Sequence, residues 1–101
     1  MEQLAKTMMK FVAFIKGSGG VAVPFSLSIS SPMNDGNDDY YCLIDCPYIR
    51  SDQFKIRGYD EKQTAELSFR FVSKWLNDDG VTLVDELGNP IEFPEYANDR
   101  F

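Results

Sequence analysis

Residues 58–76, GYDEKQTAELSFRFVSKWL, decide the fold class that the sequence predicts. Asp60 is a residue type that caps helix N-termini, and Gln63 follows three positions later, which is the spacing of a capping box. Residues 77–80, NDDG, are polar and end in a glycine, as is typical of a helix terminus. The stretch therefore predicts one long helix over residues 61–77.

The predicted helix has more apolar surface than one packed face needs. At about 100° per residue, its apolar side chains form a narrow stripe and a second ridge next to it. The stripe is Ala65, Phe69, Val72 and Leu76, and the ridge is Leu67, Phe71 and Trp75. The stripe is expected to pack on a sheet. The ridge either packs inside the molecule, with Trp75 mostly buried, or contacts another molecule, because contiguous exposed apolar surface is typical of interfaces.

Two apolar segments before the helix predict a β-hairpin. KFVAFIK (10–16) and VAVPFSLSI (21–29) are rich in β-branched and aromatic residues, and GSGG (17–20) between them supplies a turn. The apolar residues of segment 3–16 also fit a helical period, so this segment has the alternative of beginning as a helix. A strand is the favoured interpretation.

The rest of the chain adds shorter strands. A third strand is predicted over YYCLIDCPYI (40–49) after the loop SPMNDGNDD (31–39), and a short one over FKIR (54–57). VTLVDELGNPIEF (81–93) predicts a second hairpin that turns at Gly88 and Asn89. Together these elements predict an α+β fold, an antiparallel sheet of roughly four to six strands with one long helix packed on one face.

Length and composition predict a single domain over residues 1–101, because 44% apolar and 14% aromatic content is sufficient for one core. The sequence has no run of about 18 apolar residues and no N-terminal apolar stretch as long as a signal-peptide core. We therefore expect a cytoplasmic protein without membrane association. Cys42 and Cys46 lie in one predicted strand, roughly 13 Å apart at ~3.3 Å per residue. That separation is too large for a disulfide, so free thiols are expected.

The formal charge of the chain, −6 at pH 7, is concentrated in two acidic blocks. The first lies at residues 35–45 and the second at residues 78–99. Such a balance repels phosphate backbones, so no nucleic-acid binding is expected unless the basic residues cluster on one face. The natural complement is a basic protein partner.

The first acidic block supplies the candidate binding site. Asp35, Asp38 and Asp39 precede Tyr40 and Tyr41, which combines carboxylates with amphipathic aromatic side chains. This composition is expected where a protein covers a basic cleft. The second block extends the same surface if the closing hairpin lies beside the loop, a point that the sequence leaves open.

Patterns typical of catalysis and metal binding are missing from the sequence. The chain has no histidine, which removes the most frequent general base and the Ser–His and Cys–His pairs. Two cysteines without histidine do not complete a structural zinc site, and NDGNDD fails the ligand spacing of an EF-hand. GSGG lacks the Lys-Ser/Thr of a phosphate-binding loop. We therefore expect a protein that is not an enzyme and that uses no cofactor or metal.

Four short motifs follow one another in the order ISSP (29–32), DDYYC (38–42), GYDEKQTAEL (58–67) and LGNPIEFP (87–94). This order resembles an uncharacterised family of small bacterial α+β proteins. In that family an Asp–aromatic–x–Cys strand precedes a Gly-x-Asp-x-x-Gln helix start, and the chain closes with Phe-Pro. The sequence departs from the pattern at Tyr40 and Tyr41, where Trp is common, and at Thr64. The resemblance implies the order of elements, and it implies no activity because the function of the family is unknown.

Three functional hypotheses follow. In the first, the protein is an acidic inhibitor of a basic enzyme, similar in character to bacterial immunity proteins that neutralise toxin nucleases. In the second, it is an adaptor or subunit that binds a partner or a second copy through the helix ridge. In the third, it binds a small molecule on a sheet face. The side chains of that face are Tyr40, Tyr41, Tyr48 and Arg50. The first hypothesis is favoured, for a protein that is a monomer or a homodimer.

Overall fold

The computed structural model describes residues 6–16 and 21–94, and within them it contains one α-helix and six β-strands. The strands are β1 (Thr7–Lys16), β2 (Ala22–Ser30), β3 (Met33–Asn34), β4 (Tyr40–Asp45), β5 (Phe54–Gly58) and β6 (Leu83–Val84). The helix is α1 (Glu61–Asp78). All strand pairs are antiparallel and the helix packs on the sheet, so the predicted α+β fold is confirmed.

The order of strands across the sheet follows from the pairing of β4. Ile44 pairs with Phe54 of β5 and with Ile29 of β2, so these two strands flank β4 on opposite edges. β3 pairs with the first residues of β4, on the edge that β2 occupies further along. β2 pairs with β1 along nearly its whole length, and β6 pairs with Phe14 and Ile15 near the far end of β1.

The first hairpin forms as predicted. β1 and β2 are antiparallel from Met9↔Ile29 to Lys16↔Ala22, with one register shift between Thr7 and Met9. The chain is a strand from Thr7 onward. For the described part of segment 3–16, the strand interpretation is therefore confirmed and the helix alternative is wrong. Residues 3–5 of that segment and the predicted turn at residues 17–20 lie outside the described residues.

Two boundaries differ from the prediction. The predicted loop 31–39 contains β3, a two-residue strand that pairs with the start of β4. The strand predicted over residues 40–49 ends at Asp45, and a turn follows in which Ile49 N and Arg50 N donate to Cys46 O at 2.9 and 3.0 Å. Pro47 lacks a backbone N–H and cannot continue a ladder, which explains why the strand stops there.

The predicted cap of the helix is confirmed. Asp60 is the N-cap, and its Oδ1 accepts a hydrogen bond from Gln63 N at 2.7 Å. The Gln63 side chain returns to the chain before the helix, where its Oε1 accepts from Tyr59 N at 2.6 Å. The first bond satisfies a backbone donor that the start of a helix leaves unpaired, whereas the second goes to the residue before the N-cap and not, as in a standard capping box, to the N-cap amide. The helix ends at Asp78, and Gly80 follows with a φ of 67°.

The core lies between one face of the sheet and α1. All four residues of the predicted stripe are buried. The strands contribute Ala13, Ile15, Phe25, Leu27, Ile29, Cys42 and Ile44, which are also buried. After β6, a turn at Gly88 leads into the closing segment, and Ile91 N donates to Leu83 O at 2.9 Å. Phe93 in this segment packs edge-on against Phe11, with ring centroids 5.5 Å apart, and completes the core beside the helix.

The helix approaches the sheet closely near its N-terminus, where the buried helix residues Thr64, Ala65 and Ser68 are small. A Cβ atom placed on Gly58 of β5 would lie 2.5 Å from Thr64 Oγ1 and 3.0 Å from Thr64 Cα. Glycine is therefore required at position 58 because the helix lies so close to the strand, and not because the backbone turns there.

Both cysteines are buried and free, as predicted. Burial raises the pKa of the Cys42 thiol, an effect that a hydrogen bond with Ser68 partly offsets. Burial also raises the pKa of the Cys46 thiol. Both sulfur atoms therefore belong to the apolar core and have little thiolate character at neutral pH.

Candidate functional site

The acidic loop after β3 is held in a defined turn by its own side chains. Asn34 Oδ1 accepts a hydrogen bond from Gly36 N at 2.8 Å, and Asp35 Oδ1 accepts one from Asn37 N at 3.0 Å. Asp35 N donates to Asp39 O at 3.1 Å and closes the loop. The φ of Gly36, 97°, lies in the left-handed region that favours glycine.

One of the three predicted aspartates is used inside the molecule. Arg57 Nη1 of β5 donates to Asp35 Oδ2 at 2.8 Å, and the Asp35 side chain is only 17% exposed. Asp38 and Asp39 are exposed, and no described residue forms a hydrogen bond or ion pair with their carboxylates. The carboxylates that the loop offers to a partner are therefore Asp38 and Asp39, while Asp35 anchors the loop.

The two predicted tyrosines point to opposite faces of the sheet, because successive residues of a strand alternate. Tyr40 shares its face with Cys42 and Ile44, which are buried under the helix. Tyr41 projects from the other face, which α1 does not cover, and Lys55 Nζ lies 4.5 Å from its ring centroid. We call this second side of the sheet the open face. Tyr40 and Tyr41 therefore do not form one surface. The sequence placed both in a single binding site, whereas the structure puts one on each face of the sheet.

The pairing of β4 with β5 brings a second exposed segment to the loop. Tyr40 pairs with Gly58, so Asp39, which precedes Tyr40, and Tyr59, which follows Gly58, lie at the same end of adjacent strands. Tyr59 is 79% exposed, and Asp60 and Glu61 at the helix start are also exposed. We call this composite surface the acidic end. It consists of Asp38, Asp39, Tyr59, Asp60 and Glu61.

A shallow surface cleft of about 340 Å³ separates the two segments of the acidic end. Its lining residues are Asp39, Arg57, Gly58, Tyr59, Gln63 and Leu67. The cleft thus has a carboxylate and an exposed aromatic ring at its border and an apolar side chain from the helix ridge. This combination suits a long cationic side chain, whose methylene groups pack on apolar surface while its charged head reaches a carboxylate.

The closing hairpin, which carries Asp85, Glu86 and Glu92 of the second acidic block, lies toward the opposite end of the sheet from Tyr40. β6 pairs with Phe14, and β1 in turn pairs Phe14 with Pro24 of β2. Five residues of β2 and four of β4 separate this position from Tyr40, which amounts to about 30 Å at ~3.3 Å per residue. The closing hairpin therefore does not lie beside the loop. Asp85 has a local role instead, since its Oδ1 accepts from Leu87 N and Asn89 N at 2.9 Å each, and these bonds lower its pKa.

Two residues of the helix ridge, Phe71 and Trp75, pack against aromatic side chains of the same chain and stay partly exposed. The Trp75 ring meets Tyr48 edge-on at 5.6 Å, and the Phe71 ring meets Phe54 at 5.4 Å. Trp75 is half-buried, so it is less enclosed than expected, and Phe71 remains 37% exposed. The ridge covers the turn after β4 and the start of β5, in agreement with the first of the two interpretations from sequence.

The four side chains of the small-molecule hypothesis do not converge. Tyr48 lies between Phe25 and Trp75 at the border of the core, and the Arg50 guanidinium lies 5.4 Å from the ring centroid of Phe54. Tyr41 is on the open face, and Tyr40 lies on the helix side. These residues line no common pocket in the described part of the chain.

The cationic residues of the strands all lie on the open face but are spread along it, with Lys16 about 33 Å from Arg57 along the strands at ~3.3 Å per residue. These are Lys10, Lys16, Lys55 and Arg57, and Asp45 is the one acidic residue among the described strands. The sequence leaves nucleic-acid binding open only for basic residues clustered on one face, and this spread does not form such a cluster. The face also lacks a continuous stacking surface. Its aromatic residues Phe14 and Tyr41 lie about 26 Å apart along the strands at ~3.3 Å per residue.

Within residues 6–16 and 21–94, no group of three or more His, Cys, Asp or Glu side chains is placed to hold a metal ion. In the same residues, no helix has the length and apolar character needed to cross a membrane.

Comparison with protein-family models, with curated proteins and with solved structures finds no match to this chain. The motif resemblance to small bacterial α+β proteins therefore stays a prediction, and the functional conclusion depends on the geometry of the chain itself.

Proposed function

We propose that the protein is a non-catalytic binding protein that covers a basic surface on a partner protein with its acidic end, as an inhibitor of the immunity type does to a toxin nuclease. The observation that carries the proposal is the pairing of Tyr40 with Gly58, which places two exposed acidic segments side by side. The sequence contains no histidine, which favours binding over general acid–base catalysis.

The composition of the acidic end suits the recognition of a basic protein. Exposed Tyr59 offers a large amphipathic contact, and Asp38, Asp39 and Glu61 add exposed carboxylates to the same composite surface. Aromatic residues are enriched at the centres of protein interfaces, and complementary charge directs the encounter of two proteins. Against an enzyme that holds phosphate with Lys and Arg, these carboxylates would occupy the position of the substrate's charge, and inhibition would be competitive.

The ion pair between Asp35 and Arg57 supports this function by fixing the loop before binding. A loop that is ordered in advance loses less conformational entropy when it binds. Asp38 and Asp39 then meet the partner from a turn whose backbone is already closed by the bond from Asp35 N to Asp39 O. The cytoplasmic location and the monomeric or dimeric state remain predictions from the sequence.

The proposal is tested with two triple variants that change the charge equally at opposite ends of the molecule. The first is Asp38→Asn, Asp39→Asn and Glu61→Gln at the acidic end. The control is Asp79→Asn, Glu86→Gln and Glu92→Gln. Among the described residues, none of these six side chains accepts a hydrogen bond or forms an ion pair, so both variants should fold.

The measurement is the association rate with the basic protein that co-purifies with the chain or is encoded beside it. At low ionic strength, the variant of the acidic end should associate about tenfold more slowly and with a weaker salt dependence, because steering charges are lost. The control should associate like the unmodified chain. Equal rates for both variants would remove the acidic end from the interface, and the lack of any basic partner would contradict the inhibitor proposal itself.

A further inference from the structure

One edge of β1 is open over residues 7–13 within the part of the chain that the structure describes. One edge of β1 pairs with β2, but the other pairs with β6 only at Phe14 and Ile15. From Thr7 to Ala13, no backbone hydrogen bond joins this second edge to any residue that the structure describes. Edge strands are frequent sites of strand addition by other chains, and natural proteins usually shorten or cover them.

The direction of the free backbone groups follows from the pairing with β6. Lys16 N donates to Thr82 O at 3.0 Å, so the amides of even-numbered residues point away from β2. The N–H and C=O of a residue in an antiparallel strand point to the same side. Lys10 and Val12 therefore present two donors and two acceptors to the open edge, while the intervening Phe11 bonds to β2.

The side chains along this edge define the partner that would fit. On the open face, Lys10 and Val12 are exposed, and Val12 keeps 65% of its surface in contact with solvent. On the helix side, Phe11 contacts Phe93 at the border of the core. In a strand added here, alternate side chains would lie beside Lys10 on the open face and beside Phe11 and Phe93 on the helix side. This arrangement favours a segment in which acidic and apolar residues alternate.

A second copy of the chain fits this edge less well. The longest antiparallel alignment open to two copies pairs residues 7–13 with residues 13–7, and it places Lys10 directly opposite Lys10. Like charges in directly opposed positions destabilise a strand pair. The described part of β1 carries Lys10 and Lys16 and no acidic residue, so a second copy supplies no carboxylate opposite Lys10.

We propose that the edge of β1 at residues 7–12 binds an extended, acidic–apolar segment of a partner protein as an additional antiparallel strand. This surface is distinct from the acidic end, since it uses another element and the opposite charge. The two proposals therefore fail or hold independently of each other.

The probe is a capped heptapeptide that alternates glutamate and valine, compared with its counterpart that alternates lysine and valine. The glutamate peptide should bind at least about tenfold more tightly, and the difference should shrink as salt rises. Amide hydrogen exchange gives the decisive readout. The peptide should protect the amides of Lys10 and Val12, while the amide of Phe11 should be protected with or without it. Equal affinity for the two peptides, or no new protection at Lys10 and Val12, would overturn the proposal.

Two variants separate strand addition from simple charge attraction. Val12→Pro removes a donor from the open edge without touching the ladder with β2, so it should abolish peptide binding, whereas Val12→Thr should bind normally. Lys10→Glu should reverse the preference in favour of the lysine peptide, even if Val12→Pro does not fold. Lys55→Glu on β5 is the matched control, and it should keep the original preference.

The same binding and hydrogen-exchange measurements would reveal any other occupant of the edge. Self-association that Val12→Pro abolishes would assign the edge to a second copy. Peptide binding that appears only when the chain is shortened to end at Pro94 would assign it to residues 95–101. Protection of Lys10 and Val12 by a single-stranded oligonucleotide, and not by the glutamate peptide, would assign the face to nucleic acid. Each of these results would contradict the proposed partner.

Discussion

Asp35 and Arg57, which are 22 positions apart in the chain, form an ion pair of 2.8 Å that ties the acidic loop to β5. The two oxygens of Asp35 have separate roles. Oδ2 accepts from Arg57, and Oδ1 accepts from Asn37 N within the loop. One aspartate of the loop therefore fixes its shape, which leaves Asp38 and Asp39 to determine what the loop attracts.

The contribution of this pair to stability is expected to be small. The Arg57 side chain is 55% exposed, and exposed ion pairs typically contribute about 0.2–1 kcal/mol. A double-mutant cycle with Asp35→Asn and Arg57→Gln, followed by urea denaturation, should give a coupling energy in that range. The exposed pair of Lys74 and Asp78 serves as a reference and should couple more weakly. No coupling between Asp35 and Arg57 would mean that the loop is not anchored in solution.

Gly58→Ala should destabilise the protein by about 1–3 kcal/mol, because the new methyl group overlaps Thr64 and forces the helix away from the sheet. Thermal and urea denaturation give the change in the free energy of unfolding. Thr64→Ala removes the nearest of the overlapping atoms, Oγ1, so the double variant should lose less stability than the sum of the single changes. Strict additivity would show that the two residues are not in contact.

The helix, its cap and the first hairpin could be predicted from the sequence because their signals are local. Asp60 and Gln63 form the predicted cap within four residues of chain. The candidate site was predicted only in part, because its geometry depends on which residues of β4 and β5 are paired. No local signal indicates that Tyr59 lies beside Asp39, or that Arg57 neutralises Asp35. The opposite orientation of Tyr40 and Tyr41 did have a signal, namely the two-residue period of a strand.

Trp75→Ala should destabilise the isolated chain by about 2–4 kcal/mol, less than the ~3–5 kcal/mol typical of a fully buried aromatic residue, because Trp75 is half-buried. The loss comes from its edge-on contact with Tyr48. Denaturation and analytical ultracentrifugation together distinguish the two roles of the helix ridge. A normal melting temperature combined with loss of self-association would assign the ridge to an interface and favour the adaptor hypothesis.

Phe71→Ala provides the comparison on the same ridge. Its ring contacts Phe54 but is more than one-third exposed, so its removal should cost less stability than that of Trp75. If Phe71→Ala is the more destabilising change, the packing of the ridge against residues 48–54 differs in solution from the arrangement described above.

The two thiols should make stability fall at alkaline pH. Burial raises the pKa of Cys42 and of Cys46 above the ordinary value of 9.0, so both thiols keep their protons in the folded chain at a pH where the unfolded chain ionises them. Their contribution is therefore complete below that ordinary pKa and is lost as the pH rises through the higher folded values. The free energy of unfolding should decrease above pH ~9 more steeply than in the Cys42→Ala, Cys46→Ala double variant, which controls for tyrosine and lysine titration.

A thiol reagent should react slowly with the native chain and rapidly in urea. Identical alkaline profiles for the two proteins, or rapid labelling of the native chain at neutral pH, would show that these sulfur atoms are accessible to solvent.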